Sequence, residues 1–217
     1  MNYYDRQGNL FPYNGELVAI FGVGNVGSYT ALLLAKMGVN NMEIYDDDIV
    51  EDVNLSTQLY GVNNIEQKKT AAMSMLLAQL AGVDVDVYSV SRQWLSDADI
   101  VILAIDSLEG RIRAINQTKA KNPVYFDARQ GALSIEVYSG DADYLLENLE
   151  NTKIVEASEC SAKGIAFNSV VTAGLIANEV RRYLASGHCF NQFVRLDLDN
   201  LALYKSKLWA SKLTFCA

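Results

Sequence analysis

The chain has 217 residues, of which half are apolar and a fifth are charged, so it is not disordered, fibrous or repetitive, and we expect one α/β domain over residues 1–217. Its formal net charge of −8 argues against nucleic acid as the main partner, because duplex binding depends on lysine and arginine side chains that neutralise phosphates. No apolar run is long enough to span a bilayer and no secretory signal opens the chain, so we expect no membrane partner and a cytoplasmic location.

Hydrophobic patterning along the chain predicts alternating strands and helices. Strands are expected at residues 16–21, 42–45, 83–90, 100–105, 124–127 and 134–138. Helices are expected at 25–37, 66–81, 109–121 and 165–185, with a short helix and a loop over 141–151. Residues 192–198 and 201–205 flank a turn and predict a β-hairpin. This alternation is typical of an α/β, Rossmann-like, doubly wound and mostly parallel sheet, extended by antiparallel strands from the last third of the chain.

A glycine-rich turn joins the first predicted strand to the first predicted helix, with the pattern G-x-G-x-x-G at residues 22–27. The first glycine permits a tight turn, the second lets a phosphate approach the backbone, and the third lets the helix pack closely on the strand. The helix N-terminus attracts an anion, and Asp46, at the end of the next strand, is placed to hold a ribose hydroxyl. The expected nucleotide contacts in the turn are Gly22, Gly24, Asn25, Val26 and Gly27. The pattern indicates a nucleotide site, and it fits NAD as well as ATP.

The segment that begins at the second predicted strand distinguishes these nucleotides. It reads IYDDDIVEDVNLSTQLYGVNNIEQKKTAAM and resembles the ThiF/MoeB/E1 type of family, which adenylates the C-terminus of ubiquitin-like proteins. That family carries an acidic strand end, then D-x-V-x-x-x-N-L-x-R-Q, then a lysine that opens the next helix. The matching residues are Asp46, Asp48, Val50, Asn54, Leu55, Gln58 and Lys69. Further similarity in VILAIDSLEGRIRAIN and ECSAKGIAFNSVVTAGLIANEVRRYL extends the resemblance over roughly residues 16–185.

The resemblance implies that the chain binds ATP and Mg²⁺ and activates the C-terminal carboxylate of a small ubiquitin-like or sulfur-carrier protein. It implies that Lys69 neutralises phosphate charge, that Asn54 hydrogen-bonds the phosphates and that Asp106 binds the metal. Asp46 would hold the ribose, with Asp48 and Gln58 in the same site. The resemblance also implies a homodimer in which Arg6 of one copy reaches the ATP of the other; the alternative is that Arg6 belongs to a disordered tail. The candidate catalytic residues are therefore Lys69, Asp106, Arg6 and Asn54.

One position departs from the family pattern. Thr57 stands where N-L-x-R-Q has its arginine, so a phosphate-binding cation is missing from its expected place. Arg129 or Arg6 could supply a cation instead. Thr57 also favours an alternative, a non-catalytic partner of the same fold that binds nucleotide or a ubiquitin-like protein. A NAD-dependent oxidoreductase is a further alternative, although the sequence shows no convincing catalytic histidine or Tyr-x-x-x-Lys pattern.

Several candidate residues also have simpler interpretations. Asp46 could be a solvated strand end, and Lys68 could take the role that we assign to Lys69. Asp106 could cap a helix. We expect Arg111 to pair with a carboxylate rather than to contact ATP. Cys160 lies where relatives often carry a cysteine, and we favour a thiol without a chemical role, because no cluster of cations is evident beside it.

Overall fold

The computed structural model of the chain describes residues 6–7, 10–90, 96–131, 133–151, 165–189 and 191–207. Within these ranges the strands are β1 (Val18–Phe21), β2 (Met42–Tyr45), β3 (Asp86–Tyr88), β4 (Ile100–Leu103), β5 (Val124–Gln130), β6 (Ser134–Gly140), β7 (Asn191–Asp197) and β8 (Ala202–Lys207). The α-helices are α1 (Asn25–Met37), α2 (Lys69–Ala81), α3 (Leu108–Thr118), α4 (Ala142–Asn151) and α5 (Ala166–Ser186). Short 3-10 helices lie at Asp52–Ser56, Val62–Asn64 and Lys119–Lys121.

All eight of these strands form one sheet in the order β3-β2-β1-β4-β5-β6-β7-β8. In this order the first five strands, β3, β2, β1, β4 and β5, are parallel to one another. Strands β6, β7 and β8 extend the sheet with antiparallel pairing. The predicted Rossmann-like class is therefore confirmed. The antiparallel part begins at β6, earlier in the chain than the expected last third, because β5 and β6 pair as a hairpin.

Helices cover both faces of the sheet. One core cluster packs α1, α2 and α5 on one face, and a second packs α3 and α4 on the other. Strands β1 and β4 are buried at every residue, which agrees with their continuous apolar sequences VAIF and IVIL. After β1 the chain moves to β2 and β3 on one side and then returns to β4 on the other. A crevice outside the carboxyl ends of β1 and β4 is therefore the expected ligand position.

Helix α2 begins three residues later than predicted. Residues 66–68 read as helical, but they pair with the segment after β2 instead. The Val50 N–H donates to the Gln67 carbonyl (2.8 Å), and the Glu66 N–H donates to the Val50 carbonyl (2.9 Å). Glu66 has a positive φ of 67°, which a helix does not allow. The long-range pairing thus overrides the local helical preference and makes Lys69 the first helical residue.

Other boundaries shift by up to three residues. Strand β3 is shorter than the predicted 83–90, whereas α1 and β2 have the predicted bounds. The predicted hairpin is formed by β7 and β8. Within the described ranges, no helix combines the length and the apolar character needed to cross a bilayer.

Candidate functional site

The glycine turn follows β1 and opens α1 at the crevice. Gly22 has a φ of +89°, and a Cβ there would lie 2.7 Å from the carbonyl oxygen of Ala104. A Cβ on Gly27 would overlap the carbonyl oxygen of Gly22. The first and third glycines are thus required by the turn and by close packing, as the sequence predicts. A Cβ on Gly24 would approach only the side-chain nitrogen of Gln58, at 3.8 Å, so the open side of the turn lies at Gly24.

Asp46 holds this turn from the end of β2. One carboxylate oxygen accepts the Val23 N–H (2.8 Å), and the other accepts the Asp48 N–H (2.9 Å). Burial raises the pKa of Asp46, and these two N–H groups and the nearby Lys69 ammonium oppose the rise. The interpretation of Asp46 as a solvated strand end is therefore wrong, although Asp47 and Asp48 beside it are exposed.

Lys69 lies next to Asp46 and Asp48. Its backbone N–H donates to the Asp48 carbonyl (2.9 Å), and its ammonium group pairs with the Asp48 carboxylate (2.8 Å). Lys69 is only 7% exposed, whereas Lys68 is exposed. The backbone pairing that delays the start of α2 fixes this position. Lys69 rather than Lys68 is therefore the lysine that the fold directs toward the site.

Tyr60 connects the glycine turn with α2. Its hydroxyl donates to the Val23 carbonyl (2.7 Å) and lies 3.3 Å from the Lys69 carbonyl oxygen. The ring is buried in the core, and burial raises the pKa of the phenol well above its ordinary value. Sequence reasoning missed Tyr60, because a single aromatic residue in an irregular segment has no periodic pattern.

The 3-10 helix at Asp52–Ser56 and the two residues that follow it carry three polar side chains. The Asn54 amide oxygen accepts the Glu51 N–H (2.9 Å). The Thr57 hydroxyl donates to the Asn25 amide oxygen (2.9 Å). Gln58 is only 8% exposed, and its amide oxygen has no hydrogen-bond partner among the described residues. The structure thus brings Thr57 to Asn25 and the Gln58 side-chain nitrogen to the open side of the glycine turn, whereas Asn54 bonds within its own segment.

Asp106 is exposed in the loop between β4 and α3. The residue that caps α3 is Ser107, whose hydroxyl accepts the Gly110 N–H (3.1 Å), so the interpretation of Asp106 as the cap is wrong. The parts of the chain that the structure describes hold no group of three or more His, Cys, Asp or Glu suited to a metal. Mg²⁺ commonly uses one or two carboxylates together with phosphate oxygens and water, so a single carboxylate at this position fits that ion.

Arg111 pairs with a carboxylate, as predicted. Its guanidinium contacts the fully buried carboxylate of Asp127 and donates to the Ala128 carbonyl (3.0 Å). Burial lowers the pKa of Arg111, nearby Arg129 adds to this effect, and Asp106 opposes it. Because the Asp106 carboxylate affects the pKa of Arg111, the two side chains lie close enough for their charges to interact.

Arg129 shares Asp127 with Arg111, at 2.9 Å, and its guanidinium lies 4.1 Å from the centre of the Tyr138 ring. Tyr138 packs with the α3–α4 cluster, whereas Thr57 contacts α1 on the opposite face. The structure therefore does not bring Arg129 to Thr57.

Arg6 is exposed and lies far from the glycine turn of its own chain. The neighbouring Gln7 donates to the Lys36 carbonyl (2.7 Å) in the last turn of α1. The 13 residues of α1 separate the two helix ends by about 18 Å. Within one chain, Arg6 does not join the other candidate residues. Cys160 lies outside the described residues.

A doubly wound sheet with a glycine turn at its switch point defines a Rossmann-like α/β protein. Within that class, the family model described as the ThiF family matches residues 14–209, and the chain belongs to this family.

Curated relatives include ubiquitin-like modifier-activating enzyme 5 of Drosophila erecta, which is 22% identical over 204 residues, 78% of this chain and 50% of that protein. The Arabidopsis thaliana enzyme of the same name is 23% identical over 206 residues, 78% of this chain and 48% of that protein. The chain thus spans about half the length of these relatives.

Two solved structures show the same fold. E. coli MccB with ATP matches with a TM-score of 0.72 and 16% identity, covering 95% of this chain and 70% of that chain. PaaA matches with a TM-score of 0.70 and 18% identity, covering 95% of this chain and 75% of that chain.

Proposed function

We propose that this chain binds Mg·ATP at the glycine turn and adenylates the C-terminal carboxylate of a small ubiquitin-like or sulfur-carrier protein. The observation that carries the proposal is the position of Lys69. A buried ammonium lies beside Asp46 and Asp48, and Asp46 in turn holds the glycine turn. A cation fixed at the carboxyl ends of the strands suits a ligand that is itself strongly anionic.

In the proposed reaction a carboxylate oxygen attacks the α-phosphorus of ATP. The bond from that phosphorus to the β-phosphate oxygen breaks, and pyrophosphate leaves. Because both reactants are anions, the protein must mainly reduce repulsion and orient them, and it needs no nucleophile of its own. Lys69 supplies fixed positive charge, and the amide of Asn54 supplies a donor. Bound Mg²⁺, held by Asp106, would neutralise further phosphate charge.

Membership of the ThiF family supports adenylation. The relatives in Drosophila and Arabidopsis are named as ubiquitin-like modifier-activating enzymes, which supports a ubiquitin-like substrate. The fold is shared with MccB, which has been solved with ATP, and this supports ATP rather than NAD.

The proposal includes a homodimer in which Arg6 acts on the partner copy's nucleotide. Support comes from the position of Arg6, which is exposed and lies at the far end of α1 from its own glycine turn. A single chain also offers no arginine beside Thr57 among its described residues. An arginine from a second copy would supply the missing positive charge.

The test is ATP–pyrophosphate exchange in the presence of a small β-grasp protein ending in Gly-Gly. Exchange should require the carrier, and it should be lost in Lys69→Met and Asp106→Ala. Lys68→Met is the matched control, because Lys68 is exposed and adjacent to Lys69, and it should keep exchange. Exchange that survives both Lys69→Met and Asp106→Ala would contradict the proposed roles.

Thr57 supports a second candidate function, a non-catalytic partner of the same fold that binds nucleotide or a ubiquitin-like protein. The uncharged hydroxyl occupies a position near α1 at which the family resemblance implies an arginine. This candidate predicts ATP binding without pyrophosphate exchange, whichever carrier is supplied. The first candidate, the adenylating enzyme, predicts both ATP binding and pyrophosphate exchange.

A further inference from the structure

Thr57 and Asn25 form a contact that a simple glycine turn does not require. Asn25 is the first residue of α1, and the Gly24 position before it offers no side chain to cap the helix. The Thr57 hydroxyl donates to the Asn25 amide oxygen (2.9 Å) from across the site. In this bond the Asn25 amide oxygen faces Thr57, which leaves the amide N–H₂ group directed away from Thr57.

The other end of that amide is its N–H₂ group. It has no acceptor among the residues that the structure describes, and the Asn25 side chain is only half-buried. Asn54 shows the same arrangement, since its amide oxygen accepts the Glu51 N–H and its N–H₂ group has no described acceptor. Thr57 caps the end of this 3-10 helix, and its N–H donates to the Asn54 carbonyl (3.2 Å), so the two residues are held close together.

Gln58 provides an independent observation that a ligand belongs here. Its side chain is more than nine-tenths buried, and its amide oxygen has no hydrogen-bond partner among the described residues. Its amide nitrogen lies 3.8 Å from the point where a Cβ on Gly24 would be, on the open side of the turn. The amide nitrogen also has no acceptor among the described residues, and a phosphate oxygen over Gly24 would accept from it, whereas the unpaired amide oxygen would need a donor.

We propose that the Asn25 side chain is a phosphate-binding donor and that Thr57 is the positioning residue that aims it. The inference rests on the proposed function, since it concerns how the same site binds ATP. The phosphates are bound in part by an oriented neutral amide at the start of α1, and Lys69, paired with Asp48, remains the buried cation of the proposed site. Such a donor contributes directed hydrogen bonds rather than net charge.

Calorimetric titration of four variants with Mg·ATP and with adenosine tests this inference. Thr57→Val keeps the shape of the side chain and removes the hydroxyl, so ATP affinity should fall about threefold to tenfold. Thr57→Ser keeps the hydroxyl and should retain affinity. Asn25→Asp keeps an acceptor for Thr57 and loses the N–H₂ group, so ATP affinity should fall at least about tenfold. Ser56→Ala is the control, because Ser56 bonds only within its own 3-10 helix.

Adenosine separates a phosphate contact from general damage to the site, since its affinity should be unchanged in all four variants. Asn25→Asp should keep its melting temperature, because a carboxylate is favoured in the first turn of a helix. The loss in Thr57→Val should be similar at low and high salt, because no charge is removed.

ATP binding that is unaffected by both Thr57→Val and Asn25→Asp would overturn the inference alone. An equal loss of adenosine affinity would also overturn it. Absence of ATP binding by the unsubstituted chain would refute the proposed function itself.

Discussion

Replacing Lys69 with methionine removes the ammonium group from the site and keeps a side chain of similar length. The ammonium is buried and pairs at 2.8 Å with a carboxylate that is 71% exposed. A pair with one well-solvated partner contributes about 0–1 kcal/mol to folding. Methionine also suits a buried position beside the core. We therefore expect the free energy of unfolding to change by about 1 kcal/mol or less, in either direction.

The effect on the ligand should be much larger. A hydrogen bond to a charged group contributes about 1.5–3 kcal/mol, which corresponds to a loss of roughly tenfold to a hundredfold in ATP affinity. Pyrophosphate exchange should fall further, because charge also develops during transfer. Urea denaturation measures stability, calorimetry measures affinity, and exchange measures activity. Full ATP affinity in Lys69→Met, or an equal loss in Lys68→Met, would refute this reasoning.

Three other substitutions or conditions give distinct results. Asp106→Ala should abolish metal-dependent exchange and change the unfolding free energy by only about 0.5 kcal/mol, because the side chain is exposed and Ser107 caps α3; undiminished turnover would remove it from the metal role. Tyr60→Phe should lower the unfolding free energy by about 1–3 kcal/mol in urea, because the Val23 carbonyl loses a buried donor; unchanged stability would contradict this. Burial raises the pKa of Asp46, so its stabilisation of the fold is greatest below its ordinary pKa and is lost as pH rises through the raised value. Ribose binding requires the ionised form, so calorimetry should show that ATP affinity decreases as the pH is lowered through that raised pKa. Asp46→Asn should remove this dependence.

The sequence predicts the elements whose bounds depend on local chemistry. Helix α1 is preceded by the glycine turn and ends at Gly38, which adopts the left-handed conformation with a φ of 110°. Strand β4 is a continuous apolar run, as a buried parallel strand requires. The grouping of Asp46, Lys69 and the glycine turn was also predictable, because their spacing in the chain matches a family pattern.

The remainder depends on contacts between distant parts of the chain. The start of α2 is set by the backbone hydrogen bonds that Glu66 and Gln67 form with Val50. The helix propensity of residues 66–68 does not predict those bonds. The bond from Thr57 to Asn25 spans 32 positions, and the bond from Tyr60 to Val23 spans 37. Neither bond leaves a periodic pattern in the sequence. Such contacts become visible only when the sheet brings the glycine turn and the segment after β2 together.

The account depends most on the identity of the nucleotide at the glycine turn. Parallel thermal unfolding of the unsubstituted chain with Mg·ATP and with NAD tests it most directly. A ligand at a hundred times its dissociation constant adds about 2.7 kcal/mol to the free energy of unfolding. We predict that Mg·ATP raises the melting temperature, that Lys69→Met weakens this effect, and that NAD has none. Stabilisation by NAD without any response to Mg·ATP would contradict the account.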